Sequence, residues 1–128
     1  RLPDIQLRED LPAWDSGQAS DPDEQVVITQ VWDEIRRFMW NYVGIVRTNR
    51  RLHRAKKRLA LVKEEIREHY WDFQVTGDLI ELRNLATVAE LVVDCALQRK
   101  ESRGLHYTED HPKTDARFLQ DTVIKKVR

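Results

Sequence analysis

The sequence predicts an all-α fold: an antiparallel three-helix bundle, up-down-up as in a spectrin repeat, with an extended N-terminal arm and an irregular C-terminal tail. Apolar residues recur at helical spacing in three stretches, and short turn-like segments separate these stretches. The 34% of charged residues suits a small bundle with a large solvated surface, and 128 residues are enough for one modest domain. We expect the arm at 1–28, the bundle at 29–103 and the tail at 104–128.

The arm shows no sustained hydrophobic period and carries three of the four prolines, which is typical of a linker. Leu11 and Trp14 are its candidate anchors to a neighbouring surface, and a disordered arm is the alternative. Because the sequence starts with Arg1 and not with Met, we expect it to be a piece of a longer protein.

The first helix is predicted over residues 29–43. Thr29 or Gln30 would begin it, and Gly44 stands where a left-handed C-cap would end it. Its apolar face is formed by Val31, Ile35, Phe38 and Tyr42.

The second helix is predicted to start after Thr48, whose hydroxyl is a good N-cap, and to run for roughly 25 residues. Its apolar seam consists of Leu52, Ala55, Leu59, Val62, Ile66, His69 and Phe73.

The third helix would be capped by Asp78 and ended by Gly104. Its main stripe consists of Leu82, Leu85, Ala89, Val92 and Ala96, and the stripe is widened by Ala86, Val88, Val93 and Cys95. A helix that is apolar over so much of its circumference is expected to touch two partners. For the last segment, residues 113–128, we expect a short strand or irregular chain.

Antiparallel packing would sort the charges of the helices toward opposite ends of the bundle. The basic end would hold Arg47, Arg50, Arg51, Arg54, Arg99, Lys100 and Arg103. The acidic end would hold Asp33, Glu34, Glu68, Asp72, Asp78 and Glu81. The second helix is basic at its N-terminus and acidic at its C-terminus, which is the order that its dipole disfavours. Because like charges gathered at one end of the bundle cost stability, we hypothesise that the basic end faces an external anion or acidic surface, with chance as the alternative.

The composition gives no support to several function classes. A formal net charge of zero does not favour nucleic acid or membrane, and no aromatic residues interleave with the basic run at 47–58. No apolar run approaches the roughly 20 residues that span a bilayer. The single cysteine, Cys95, excludes an internal disulfide and fits a reducing, cytoplasmic compartment. The four histidines have no metal-binding spacing, and neither a catalytic triad nor a Gly-rich phosphate loop is present.

Three stretches carry a family resemblance: "WDEIRRFMWNYVGIVRTNRRLHRA" (32–55), "DLIELRNLATVAELVV" (78–93) and "RKESRGLHYTEDHP" (99–112). Together, over about residues 12–124, the chain resembles the C-terminal helical domain of the succinate dehydrogenase and fumarate reductase flavoprotein family. The R-x-E-S-R-G-x-H pattern is shared widely in that family, whereas "MWNYVGIVRT" favours its L-aspartate oxidase branch. His111 is a departure, since the family more often has an aromatic residue there.

The resemblance implies a parent enzyme that binds FAD and oxidises L-aspartate to iminoaspartate, with oxygen or fumarate reoxidising the flavin. The product would pass to quinolinate synthase on the route to NAD. The FAD-binding and capping domains would precede this chain, so no catalytic, cofactor-binding or metal-binding residue is carried over to it. The equivalent domain of a succinate or fumarate enzyme and a stand-alone helical binding module are the alternatives.

The resemblance also suggests that the segment after the third helix docks on the flavin domain. Arg99 and Arg103 would make bidentate contacts to carboxylates or carbonyls, Glu101 would receive such a contact, and His106 would bridge to the other domain. The candidate inter-domain contacts are Arg47, Arg99, Glu101, Ser102, Arg103, Gly104, His106 and Asp110, next to a basic pole of Arg50, Arg51, Arg54 and Lys100.

Overall fold

The structure, a computed structural model, describes residues 25–72 and 75–125. Three helices account for most of this part, α1 (Gln25–Tyr42), α2 (Asn49–Asp72) and α3 (Gly77–Gln98). Each helix packs against both of the others, which confirms the predicted all-α three-helix bundle. The arm, with Leu11 and Trp14, lies outside the described residues, as does Phe73, and so does the side chain of His69.

Two ion pairs fix the register of α2 against α3. Lys56 contacts Asp94 at 2.7 Å, and about two helical turns further along α2, Lys63 contacts Glu90. Because the numbers rise on one helix while they fall on the other, the two helices run antiparallel.

A continuous hydrophobic core fills the space between the helices. Its largest fully buried apolar side chains are Ile35, Leu52, Leu59, Leu79 and Val93. They come from all three helices. The buried residues of a helix recur at the three- and four-residue spacing that brings successive turns to one face, as Ile28, Val31, Ile35 and Phe38 do in α1.

The first helix begins earlier than predicted, so Thr29 and Gln30 lie inside it and do not cap it. Ile28 is buried in the core, and it extends the apolar period one turn upstream of Val31.

The predicted left-handed cap at Gly44 is wrong, since Gly104 is the described glycine with a positive φ. Gly44 serves close approach instead, because a Cβ there would lie 3.1 Å from the carbonyl oxygen of Trp40. Just beyond the end of α1, Arg47 Nε donates to the carbonyl oxygens of Gly44 at 2.8 Å and Val43 at 3.3 Å.

The cap of α2 is confirmed, because Thr48 Oγ1 accepts a hydrogen bond from the Arg51 N–H at 3.1 Å. The cap of α3 is not Asp78 but Thr76, whose backbone is extended and whose Oγ1 accepts from the Leu79 N–H at 3.2 Å. Asp78 lies in the first turn of α3, where its carboxylate faces the positive end of the helix dipole.

The core face of α3 includes Leu82, Ala89 and Ala96 of the predicted main stripe but is otherwise rotated from it. Ala86 and Val93 are buried, whereas Leu85 is half-buried and Val92 is 39% exposed. The helix ends at Gln98 and not at Gly104, because the backbone of the next residue, Arg99, is already extended.

Beyond α3 the chain returns to the bundle. Strand β2 (Tyr107–Thr108) pairs in parallel with β1 (Val46–Arg47), the segment that joins α1 to α2. A single 3-10 turn follows at Ala116–Phe118. The described residues after it, up to 125, contain no strand, so the tail there is irregular. Among the described helices, none combines the length and apolarity needed to cross a bilayer.

Candidate functional site

The segment after α3 is organised around the buried carboxylate of Glu101. Arg103 donates to both carboxylate oxygens, at 2.9 Å and 3.0 Å, and Arg99 Nη1 donates to Oε1 at 2.5 Å. The main-chain N–H of Asp115 completes the set at 2.8 Å to Oε2. The hydrogen bonds from Arg103 are the main reason that the pKa of Glu101 falls to about 2; the Asp115 N–H and Arg99 act in the same direction, and burial opposes them.

Arg99 also fastens the C-terminal tail to the end of α3. Its guanidinium donates to the carbonyl oxygens of Phe118 at 2.8 Å and Gln120 at 2.6 Å, and to Thr122 Oγ1 at 3.2 Å. Together with Glu101, these acceptors occupy most of the donors that a guanidinium has.

His106 links the α1–α2 connection to the same segment. Its Nδ1 lies 2.7 Å from Arg47 Nη1, and its Nε2 lies 3.0 Å from the carbonyl oxygen of Arg99. Because a guanidinium can only donate, Nδ1 accepts, and Nε2 carries the hydrogen that Arg99 O receives. Burial is the main reason that the pKa of His106 lies below its ordinary value; the hydrogen bond to the Arg99 carbonyl opposes this shift, and the positive charges of Arg47 and Arg99 add to it. Burial also lowers the pKa of Arg47.

Asp110 caps a helix that begins far away in the sequence. Its Oδ2 accepts a hydrogen bond from the Asn49 N–H at 2.6 Å, across 61 residues. Thr48 and Asp110 therefore satisfy two of the main-chain N–H groups that the start of α2 leaves without helical partners.

Ser102 and Gly104 shape the turn that returns the chain to the bundle. Ser102 Oγ accepts from the Thr108 N–H at 3.0 Å and lies 2.8 Å from the carbonyl oxygen of His111, to which it donates. Gly104 has φ +56°, and two main-chain hydrogen bonds between Arg103 and His106 close the turn around it. This conformation is one that glycine adopts without strain.

The predicted basic end divides into two groups. The guanidinium groups of Arg47, Arg99 and Arg103 donate hydrogen bonds to other groups of this chain. The remaining residues of this end are exposed and have no acidic partner in the described part of the chain: Arg50, Arg51, Arg54 and Lys100. At the acidic end, Glu34 pairs with Arg58 of α2 at 3.1 Å.

Arg47, Arg99, Glu101, Arg103 and His106 form a clamp that holds the segment after α3 against the bundle. Both carboxylate oxygens of Glu101 and most donors of Arg99 are occupied by these contacts. Within residues 25–72 and 75–125, no three His, Cys, Asp or Glu side chains gather in a way that would hold a metal ion.

The sequence pattern predicts a group of Arg99, Glu101, Arg103 and His106, but it does not predict the tail residues that bind this group. The tail contributes Thr122 and the main-chain N–H of Asp115 to the same network. These contacts join residues 14 and 23 positions apart, and no local spacing in the sequence marks them.

Three comparisons with known proteins agree on the class of this chain. Residues 32–128 match the family model described as "Fumarate reductase flavoprotein C-term". The chain therefore belongs to the C-terminal domain family of the fumarate reductase flavoproteins. A solved structure described as Mycobacterium smegmatis Sdh1 in complex with UQ1 is 30% identical to it, with a TM-score of 0.63, over 77% of this chain and 17% of that chain.

Curated relatives point to one branch of the family. A Pseudomonas aeruginosa protein named L-aspartate oxidase is 60% identical over 88% of this chain, and one from Vibrio cholerae is 55% identical over 88%. A tobacco protein named L-aspartate oxidase 2-b, chloroplastic, is 44% identical over 74%. The chain spans only 21%, 21% and 15% of the lengths of these relatives. The predicted resemblance is confirmed, including its branch.

Proposed function

We propose that this chain is the helical C-terminal domain of an FAD-dependent L-aspartate oxidase. The parent enzyme oxidises L-aspartate to iminoaspartate for NAD biosynthesis, and its product is the substrate of quinolinate synthase. The observation that carries this proposal is the 60% identity to the Pseudomonas aeruginosa relative over 112 residues. A succinate or fumarate enzyme is the second candidate, favoured only by the 30% identity to Sdh1.

Within that enzyme we assign a scaffolding role to this chain. The clamp supports this role, because its charged side chains bind one another and hold the segment after α3 against the bundle. Such a rigid surface lets a neighbouring domain dock without ordering flexible side chains on binding. Three expectations stay predictions. They are the inter-domain contacts of the residues named from the sequence, the domain division at 28 and 103, and a cytoplasmic location.

Within the described residues, the groups that are already hydrogen-bonded at the start of α2 and around Glu101 do not fit FAD. A flavin dinucleotide needs main-chain N–H groups or free cations for its pyrophosphate. At the start of α2, the carboxylate of Asp110 already occupies the N–H of Asn49. Arg99 and Arg103 are bound to Glu101. We therefore propose that the part of the parent protein outside this chain binds FAD and carries the chemistry.

The test uses the full-length parent protein. It is purified and its flavin spectrum recorded, and L-aspartate or succinate is then added without oxygen. We expect L-aspartate to bleach the flavin and succinate to leave it oxidised. Bleaching by succinate instead would assign the chain to the succinate and fumarate branch. A full-length parent without flavin would contradict both candidates.

A further inference from the structure

The outer side of α3 carries an apolar stripe that the bundle does not cover. Val88, Leu91 and Val92 are 57%, 45% and 39% exposed, and Cys95 is half-buried. Their spacing places them on one side of the helix, away from the core residues Ala86, Ala89 and Val93. α3 is thus apolar on two sides, although the described bundle uses only one of them.

This stripe forms one wall of a surface groove of about 320 Å³. Besides the stripe, the groove is lined by Arg47, Ala96, Arg99, His106 and Thr122. Most of the lining is apolar, and one end carries the side chains of the clamp. Because the clamp holds Arg47, Arg99 and His106 in place, the groove is formed before any partner arrives.

We propose that this groove, and not the polar face of residues 99–110, is the main surface on which the FAD-binding part of the same polypeptide docks. The inference rests on the proposed function and names the surface that the scaffold uses. The side chains of Arg99, Glu101 and His106 in that segment already bind groups of the same chain, so they offer a partner few free donors. The apolar stripe of α3 is still exposed to water, and its burial against a partner is favourable.

The size of the parent supports this occupant. The chain accounts for 21% of the Pseudomonas aeruginosa relative and 17% of Sdh1, so most of either polypeptide lies elsewhere and has to be held against this domain. A second copy of the chain is a poorer fit, because the groove lining has two arginines and no carboxylate to face them. The docking surface is expected to present apolar side chains along the stripe.

The experiment is photo-crosslinking of the full-length parent protein with photo-leucine, a leucine analogue of nearly the same shape that carries a diazirine. Leu91 is the probe. Leu61 is the matched internal control, because it lies on α2, is 68% exposed and lines none of the described cavities. An equal mixture of unlabelled and ¹⁵N-labelled protein separates crosslinks within one molecule from those between molecules.

We expect Leu91 to crosslink, within one molecule, to peptides that precede this chain in the flavin-binding part, and Leu61 to give only water-quenched product. Crosslinks from Leu91 to residues 1–24, crosslinks between two molecules, or quenching equal to that of Leu61 would each overturn the proposal. The flavin spectrum and its bleaching by L-aspartate are measured on the same protein. A parent that is not bleached, yet crosslinks as expected, would refute the proposed function while keeping the docking surface.

Discussion

At the scale of single residues, Glu101 shows how a carboxylate is kept inside a small domain. Burial of an unpaired charge is costly, whereas this carboxylate has two arginines and a main-chain N–H as donors. The ionised form is the one that these donors bind, so the pKa of Glu101 lies below its ordinary value of 4.5, at about 2.

This shift predicts an acid-sensitive stability. A carboxylate whose pKa is lower in the folded state stabilises the fold at pH values above its unfolded pKa, and this contribution is lost as the pH falls from about 4.5 to about 2. We expect Glu101→Gln to unfold at lower urea concentration at pH 7 and to show a flatter pH dependence within that window. The measurement is urea unfolding of both proteins from pH 7 to pH 2. Parallel curves at every pH would contradict the role given to this carboxylate.

Gly104 gives a second prediction at this scale. No atom would obstruct a Cβ there, so Gly104→Ala tests only the left-handed backbone, with an expected cost of about 1–2 kcal/mol. Gly77 is the matched control, since it is equally unobstructed, lies in the first turn of α3 and has no positive φ. Gly77→Ala is expected to be neutral or to stabilise by up to about 1 kcal/mol. Denaturant titrations measure the free energy of unfolding of both variants. Equal changes for the two substitutions would exclude backbone strain at Gly104.

At the scale of elements, α2 depends on a cap from outside its own neighbourhood. Thr48 lies next to the helix, but Asp110 reaches it from the segment after α3. The parallel pairing of β1 with β2 brings these two parts of the chain together. The start of α2 and the position of the returning segment are thus stabilised by the same contacts.

Removal of this cap is expected to destabilise α2. Asp110→Ala should cost about 0.5–2 kcal/mol, the usual range for a lost N-cap, and Asp110→Asn should retain most of the stability because an amide oxygen also accepts. Asp121→Ala serves as the control, because Asp121 lies in an irregular, exposed part of the tail. Circular dichroism during urea unfolding measures the effect. A cost for Asp121→Ala as large as that for Asp110→Ala would mean that loss of any nearby negative charge suffices.

At the scale of the whole molecule, the basic end carries exposed positive charges that have no acidic partner in the described part of the chain. Arg50 and Arg54 lie in the first two turns of α2, one turn apart and both exposed. Their field extends over roughly 8 Å at physiological ionic strength, so it acts on what is placed near this end in the parent.

If this end lies near the path of the substrate, its field attracts a dicarboxylate. We then expect the double charge reversal Arg50→Glu and Arg54→Glu in the parent to raise the KM for L-aspartate about twofold or more, with the effect fading in high salt. The control is the reversal of Arg36 and Arg37 on α1, which are also exposed. Steady-state kinetics at two ionic strengths provide the measurement. An unchanged KM would remove the steering hypothesis and leave the clamp intact.

The sequence by itself determined the three helices, because their signals are local. Apolar residues three and four positions apart identify a helical face, and a threonine before a helix marks its start, as Thr48 does. The family resemblance in 32–55, 78–93 and 99–112 was also contained in the order of the residues, and it indicated the branch to which the curated relatives belong.

Only the tertiary structure decided which groups meet. Arg99 binds Glu101 and the tail, and Asp110 caps α2; no local spacing predicted these contacts. Val92, predicted as core, lies on the outer side of α3. Such outcomes depend on how the three helices rotate against one another and on where the returning chain closes its loops. Both are set by packing between residues far apart in the sequence, which a local period cannot encode.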